Sequence, residues 1–194
     1  IAEYCRQQDR KLLYVSTDYV FGRDGGTCHR ESAQASPMNV YGQSKYEGEQ
    51  IVRTVERSFI VRTSWLFGKG GRNFVTAILG KAKRGQALQV VDDQIGSPTY
   101  AGDLAALLSD MIQSGEYGVY HATNEGECTW YGFAEEILRL AGIRSRITPV
   151  SAAVYGGKAK RPSDSRLEKG ALDRAGFHRL PDWRDALERY IHNL

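Results

Sequence analysis

A tyrosine and a lysine four residues apart, in Tyr41-Gly42-Gln43-Ser44-Lys45, are the groups of this 194-residue chain best suited to proton chemistry. Four residues make about one turn of α-helix, which puts phenol and ammonium on one face, roughly 6 Å apart. A phenol ordinarily titrates near 10, so it is a poor proton shuttle at neutral pH. A neighbouring ammonium favours the phenolate, and a shift to neutrality requires about 4 kcal/mol of differential stabilisation. Ser16-Thr17 ends a short apolar run, and the carboxyl end of a strand is where open α/β sheets hold ligands. Thr17 is thus a candidate to hold a substrate oxygen beside Tyr41. With 11 Tyr and 8 Lys in the chain, chance alone supplies about 0.45 such Tyr–Lys pairs, so the surrounding elements must decide.

Those elements alternate. Lys11–Ser16 and Ser58–Thr63 read as apolar strands, and between them Asn39–Arg57 is a polar, Glu- and Lys-rich helical stretch with apolar residues at Val40, Ile51, Val52 and Val55. Strand, long loop, helix and strand make a βαβ unit, hence a parallel sheet. The start, from Ile1 to Tyr4, already reads as helix. Further helices are predicted near 71–84, 101–114 (burying Leu104, Leu107, Leu108 and Met111), 129–141 (capped by Thr129) and 181–193. Strands near 87–91, 119–122 and 146–150 complete an α/β pattern. The basic loop from Gly156 to Ser165 is a candidate ligand lid.

Bulk properties narrow the classes. Hydrophobic residues at 41% and charged ones at 25% are ordinary globular values. The longest apolar runs are too short to cross a membrane. A net charge of +3 suits a phosphate-bearing ligand but falls short of a nucleic-acid signature. Cys5, Cys28 and Cys128 are widely spaced, which fits reduced thiols in a cytoplasmic protein rather than a metal site. His29, His121, His178 and His192 form no ligand pattern and are expected at the surface or in packing. Asp92 and Asp93 are adjacent in or beside a strand and point to opposite faces, against a shared cation. No glycine-rich dinucleotide turn occurs: Gly68-Lys69-Gly70-Gly71 lacks a preceding first strand and reads as a turn into the helix at 71–84.

Longer blocks carry a resemblance. Val15-Ser16-Thr17-Asp18-Tyr19-Val20-Phe21 and Asn39-Val40-Tyr41-Gly42-Gln43-Ser44-Lys45 are similar to the STDYVF and N-x-Y-G-x-[ST]-K segments of the dTDP-4-dehydrorhamnose reductases, extended short-chain dehydrogenase/reductases. Arg62-Thr63-Ser64-Trp65, Gly71-Arg72-Asn73-Phe74 and the segment from Asp93 to Thr99 resemble further blocks of that family, as does Arg161-Pro162 through Ser165-Arg166-Leu167. They run in the family's order from residue 11 to about 167, and Leu180-Pro181-Asp182-Trp183 extends the likeness.

The resemblance implies an incomplete Rossmann-like parallel sheet, the C-terminal half of one, with a smaller α/β substrate-binding lobe. Residues 1–65 would carry the Tyr-x-x-x-Lys helix and 66–194 mainly the lobe, with a segment near 100–125 returning to the sheet. It implies NADPH- or NADH-dependent reduction of the 4-keto group of dTDP-4-dehydro-6-deoxy-L-mannose to dTDP-L-rhamnose. Tyr41 would donate the proton, Lys45 would hold the nicotinamide ribose and tune Tyr41, and Thr17 would orient the carbonyl. Val15 would touch cofactor through its backbone, Asp18 and Trp65 would contact the sugar or nucleotide, and Asn73 and Arg161 would meet the diphosphate. Each has a plainer alternative: Trp65 as core, Asp18 as a turn residue, and Arg161, Lys158 and Lys160 as a solvated loop. Tyr19 and Phe21 are read as packing residues.

Without the family's N-terminal, glycine-bearing segment, the strand at Lys11–Ser16 is expected to expose a free apolar edge that pairs with a second copy or a separate chain. Cofactor affinity is then expected to be weak. Two other functions stay open: a non-catalytic scaffold or regulatory relative, and a nucleotide-sugar epimerase or dehydratase.

Overall fold

The computed structural model describes residues 1–22, 28–156 and 160–194. Lys158, one of the basic residues of the proposed lid, lies outside them. The chain opens with α1 (Ala2–Gln7) and β1 (Leu12–Thr17), followed by a single 3-10 turn at Asp18–Val20. Helix α2 (Val40–Val52) then leads to β2 (Ser58–Thr63), β3 (Leu66–Phe67) and α3 (Phe74–Lys83). After these come β4 (Leu88–Val91), β5 (Ile95–Gly96), β6 (Thr99–Tyr100), α4 (Ala101–Gln113) and β7 (Gly118–His121). The remainder is β8 (Asn124–Glu125), β9 (Cys128–Thr129), α5 (Trp130–Leu140), β10 (Ile147–Val150), α6 (Ala152–Tyr155), α7 (Gly170–Arg174), β11 (Leu180–Asp182) and α8 (Trp183–His192).

The architecture is α/β and Rossmann-like, with parallel sheets. The main sheet has the order β1-β2-β7, all parallel, and Thr17 pairs with Thr63 at the strand tips. Among the described residues β1 has β2 as its one neighbour, so its other edge is unpaired. Helix α4 covers this sheet with Leu104, Leu107 and Met111, packed on Phe59, Val61 and Tyr120. Its period-3.6 apolar spacing had announced that face, and Leu108 is only partly buried. A second core joins α3, α5 and α8 to β4 through Ile78, Val90, Phe133, Ile137, Trp183 and Tyr190. Beside it the parallel pair β4 and β10 forms a separate small sheet.

Helix α2 corrects the sequence reading. Val40 and Ile51 are 86% and 59% exposed, whereas Gly42, Glu49 and Val52 are buried. The reason is electrostatic: Glu49 receives the Arg62 guanidinium as a fork, Nε to Oε1 at 2.9 Å and Nη2 to Oε2 at 2.7 Å, and Ser16 Oγ donates to Oε1 at 2.6 Å. An apolar periodicity cannot reveal a helix docked by an ion pair. Gly42 permits the close approach, because a Cβ there would collide with the carbonyl of Tyr19.

No helix among the described residues is long and apolar enough to cross a membrane.

Candidate active site

The parallel register brings the tips of β1 and β2 together, and α2 lies over them, held through Glu49 by Ser16 on one strand and Arg62 on the other. That arrangement aims the first turns of α2 at the strand ends. Asn39 fixes where the helix begins: its Oδ1 accepts from Gly42 N at 2.8 Å, and its Nδ2 donates to the Lys160 carbonyl at 3.0 Å. The cap thus ties the Tyr–Lys helix to the segment bearing Arg161.

A cleft of 690 Å³ opens at these tips, and Val15, Thr17, Asp18, Tyr41, Lys45, Trp65, Asn73 and Arg161 all line it. The structure therefore gathers these eight candidate site residues, from positions 15 to 161, around one space. Tyr41 is 53% exposed toward it. The Lys45 ammonium sits 4.2 Å from the centroid of the Tyr14 ring, a cation–π contact that fixes its stem. Thr17 is buried; its Oγ1 donates to Asp18 Oδ1 at 2.9 Å and accepts from Tyr19 N at 3.2 Å. Asp18 is 4% exposed, and burial raises its carboxyl to about 7, against the opposing hydrogen bonds from Thr17, two backbone N–H groups and Ser165. It opens the 3-10 turn, as the plainer alternative had it, and is buried at the cleft as well.

The far wall is aromatic. Trp65 stacks on Trp130 with centroids 3.5 Å apart and planes 8° from parallel, and its Nε1 donates to Ser165 Oγ at 3.0 Å. Its φ of 47° is unusual for a bulky side chain. A Cβ on Gly96 would stand 2.6 Å from both Ser165 Oγ and the Trp65 ring, so this position must be glycine for the indole to lie where it does. Trp65 also packs against the second core, so the core alternative and the cleft position coexist in one side chain. Arg161 is exposed, makes no ion pair among the described residues, and lines both this cleft and an adjoining 500 Å³ cavity bounded by Phe74, Ile78, Val90 and Trp130.

Two readings are extended. Asn73, expected to meet a diphosphate, caps α3: its Oδ1 accepts from Thr76 N, and its amide donates to the Gly68 carbonyl and to the Tyr190 hydroxyl. Both amide protons are engaged within the chain, at a residue that also lines the cleft. Tyr19, expected only to pack, lines the cleft with its ring edge-on to Tyr41 at 5.6 Å. Burial, with the nearby Asp18 and Tyr41, raises its phenol, while Arg161 opposes that. Phe21 does pack: it is fully buried and stacked on His29.

Some cleft residues were missed, Thr63 and Trp130 among them. Thr63 is 7% exposed at the tip of β2, lines the cleft, and its Oγ1 has no hydrogen-bond partner. That oxygen is itself enclosed, so the residue borders the cleft while its hydroxyl lies beneath the surface.

Elsewhere, His121 is buried and is pushed down to about 3, first by burial and then by the Arg62 charge. The Glu168 carbonyl can only accept, so Nδ1 at 2.9 Å carries the proton and Nε2 faces the Arg62 guanidinium. Asp92 accepts from Thr129, and Asp93 from the backbone of Ala152. No cluster suited to a metal occurs among the described residues, and all three cysteines are free.

A Rossmann-like sheet with a Tyr–Lys helix over its carboxyl edge defines an extended short-chain dehydrogenase-type fold. The family model described as the RmlD substrate binding domain matches residues 1–194, and the chain belongs to that family. It is similar to the spore coat polysaccharide biosynthesis protein SpsK of Bacillus subtilis, at 43% identity over 93% of this chain and 64% of the relative. The dTDP-4-dehydrorhamnose reductase of Streptomyces griseus is 39% identical over 96% of this chain and 64% of the relative. A crystal structure of dTDP-4-dehydrorhamnose reductase from Bacillus anthracis in complex with NADP superposes with a TM-score of 0.96. Identity there is 41%, covering all of this chain and 69% of that one. This chain thus spans slightly under two thirds of the length of the first two relatives.

Proposed function

We propose that this chain forms the ketone-reducing and sugar-binding part of a dTDP-4-dehydrorhamnose reductase, acting with NADPH or NADH on dTDP-4-dehydro-6-deoxy-L-mannose to give dTDP-L-rhamnose. The observation that carries the reading is the convergence of Thr17, Tyr41 and Lys45 on one cleft, opposite Trp65 and Arg161. Resemblance of the B. anthracis structure, which binds NADP, supports the cofactor class.

The fit to a nicotinamide cofactor rests on the donors that line the cleft, the Tyr41 phenol and the Lys45 ammonium, which can hydrogen-bond a ribose. Lys45 and the backbone of Val15 would help hold it. When bound, such a cofactor supplies the hydride to C4. Tyr41 gives its phenolic proton to the oxygen that gains charge, and the Lys45 ammonium offsets the phenolate left behind. Thr17 holds that oxygen in line with the phenol. Arg161, between the two cavities, neutralises the diphosphate with a guanidinium that no carboxylate among the described residues occupies, and Trp65 and Trp130 pack against the apolar sugar face. The adjoining cavity takes the nucleoside. Residues 1–65 act as the cofactor-side unit and 66–194 mainly as the substrate lobe, with a segment near 100–125 that returns to the sheet: α4 covers it and β7 pairs with β2.

The unpaired edge of β1 is the surface on which we place a further strand, from a second copy or a separate chain. A monodisperse monomer at high concentration in scattering would remove that part. Free thiols suit a reducing, cytoplasmic setting.

The test is product analysis with the 4-keto sugar nucleotide and NADPH, on this chain and on one completed to the length of the relatives. Rhamnose product is expected, reduced about 10²–10⁴-fold by Tyr41→Phe. A product epimerised or dehydrated instead, or no turnover in either form, defeats the reading and favours the epimerase or scaffold alternatives.

A further inference from the structure

We propose that Asp18 is a positioning residue that sets the direction of the Thr17 hydroxyl, turning its proton into the cleft only while the Asp18 carboxyl is itself protonated. The inference rests on the ketone-reduction reading for its substrate, but its geometry stands apart from it.

A threonine hydroxyl has one proton and two lone pairs. Here one lone pair takes the Tyr19 N–H at 3.2 Å, and Asp18 Oδ1 lies 2.9 Å away. An ionised carboxylate only accepts, so the Thr17 proton must point at Asp18, and the oxygen offers a lone pair to the cleft. A substrate carbonyl is repelled by that lone pair. A protonated Asp18 instead donates to Thr17, filling its second lone pair and releasing the Thr17 proton toward the carbonyl oxygen. The resulting chain of donors, Asp18 to Thr17 to substrate, is cooperative.

Both forms are accessible near neutrality because burial holds the Asp18 carboxyl at about 7. The groups around it come from several elements. Thr17 belongs to β1, Tyr19 to the same turn, and Ser165 to the segment following Arg161. Tyr41 and Lys45 on α2, with Arg161, share the cleft. The pull toward the ionised form comes from hydrogen bonds by Thr17, the backbone of Asp18 and Tyr19, and Ser165. Sequence likeness suggested a direct ligand contact for Asp18; it lines the cleft, and its bond to Thr17 adds action through the hydroxyl to that contact.

The experiment has two readouts on the full chain. Carbon-13 NMR of labelled aspartate, assigned with Asp18→Asn, follows the carboxyl in the wild type and in Thr17→Val. Asp18 should titrate near neutrality and move upward in Thr17→Val, because the ionised form loses its donor; Thr17→Ser should leave it unmoved. The second readout is the pH profile of 4-keto sugar reduction. The advantage of wild type over Thr17→Val, about a hundredfold at pH 6, should shrink as pH rises through the Asp18 titration. In Asp18→Asn, whose amide donates at every pH, that decline should vanish. A titration below about pH 5, an unmoved Asp18 in Thr17→Val, or the same alkaline decline in Asp18→Asn would overturn the inference. Should no form reduce the ketone, the functional reading fails by itself, and the Thr17-dependent shift alone decides.

Discussion

Two regions meet at the cleft and are held by opposite means. On the β1–α2 side the contacts that set the geometry are polar and buried: Ser16, Glu49, Arg62 and His121 form one chain of hydrogen bonds. On the α3–α5–α8 side the packing is aromatic, with Phe67, Phe74, Phe133, Trp183 and Tyr190 ring against ring. Apolar contacts are non-directional and tolerate small slips. A guanidinium fork on a carboxylate does not, since both hydrogen bonds are lost together. The proton chemistry thus sits on the side whose alignment is directional, and the side that would receive a bulky ligand is lined by rings.

The largest effects should come from cutting either side at its centre. Glu49→Ala leaves a buried guanidinium unpaired and should cost about 3–5 kcal/mol in urea unfolding. Phe133→Ala opens a cavity and should cost about the same. Repair separates them: Glu49→Leu with Arg62→Met should recover most of the stability yet still lower kcat, because the register of α2 is no longer specified. Equal stability and unchanged kcat in the double variant would erase the distinction.

Next in size is a pH effect. The folded-state pKa of Asp18 is raised, so folding binds a proton there, and stability falls as pH rises from about 4 to 7. Asp18→Asn should remove this loss, on the order of 4 kcal/mol at most, seen as unfolding midpoints that diverge from wild type as pH rises from about 4 to 7. His121 works the other way. Its folded pKa is depressed, so its contribution is intact above about 6.5 and lost as pH falls toward 3. His121→Gln should therefore lessen acid sensitivity without touching the alkaline side.

The smallest expected effect is at the helix cap. Asn39→Ala should cost about 1 kcal/mol. Because Asn39 also holds the Lys160 carbonyl, it should raise KM for the nucleotide sugar more than it lowers kcat. A kcat loss alone would place the cap wholly on the proton side of the comparison.

Local rules made much of this legible. The strands at β1 and β2, the α4 face at Leu104, Leu107 and Met111, and the Thr129 cap of α5 all follow from short-range pattern. Thr17, Tyr41 and Lys45 were legible as types at a spacing. Asn73 lines the cleft as expected, but its cap role on α3 and its bonds to Gly68 and Tyr190 were not legible from its type alone. Tyr19 and Thr63 were hidden because facing a cleft is a property of two elements, not one.

What the sequence by itself determined is which groups exist and which lie one helical turn or one strand step apart, since those distances follow from backbone geometry. Only the tertiary structure decided that Glu49 is buried, that Asp18 bonds Thr17, and that Trp65 stacks on Trp130 across 65 residues of chain. Burial and stacking depend on which surfaces meet. A hydroxyl's direction and a carboxyl's charge depend in turn on that burial, so they become readable only after the chain has folded.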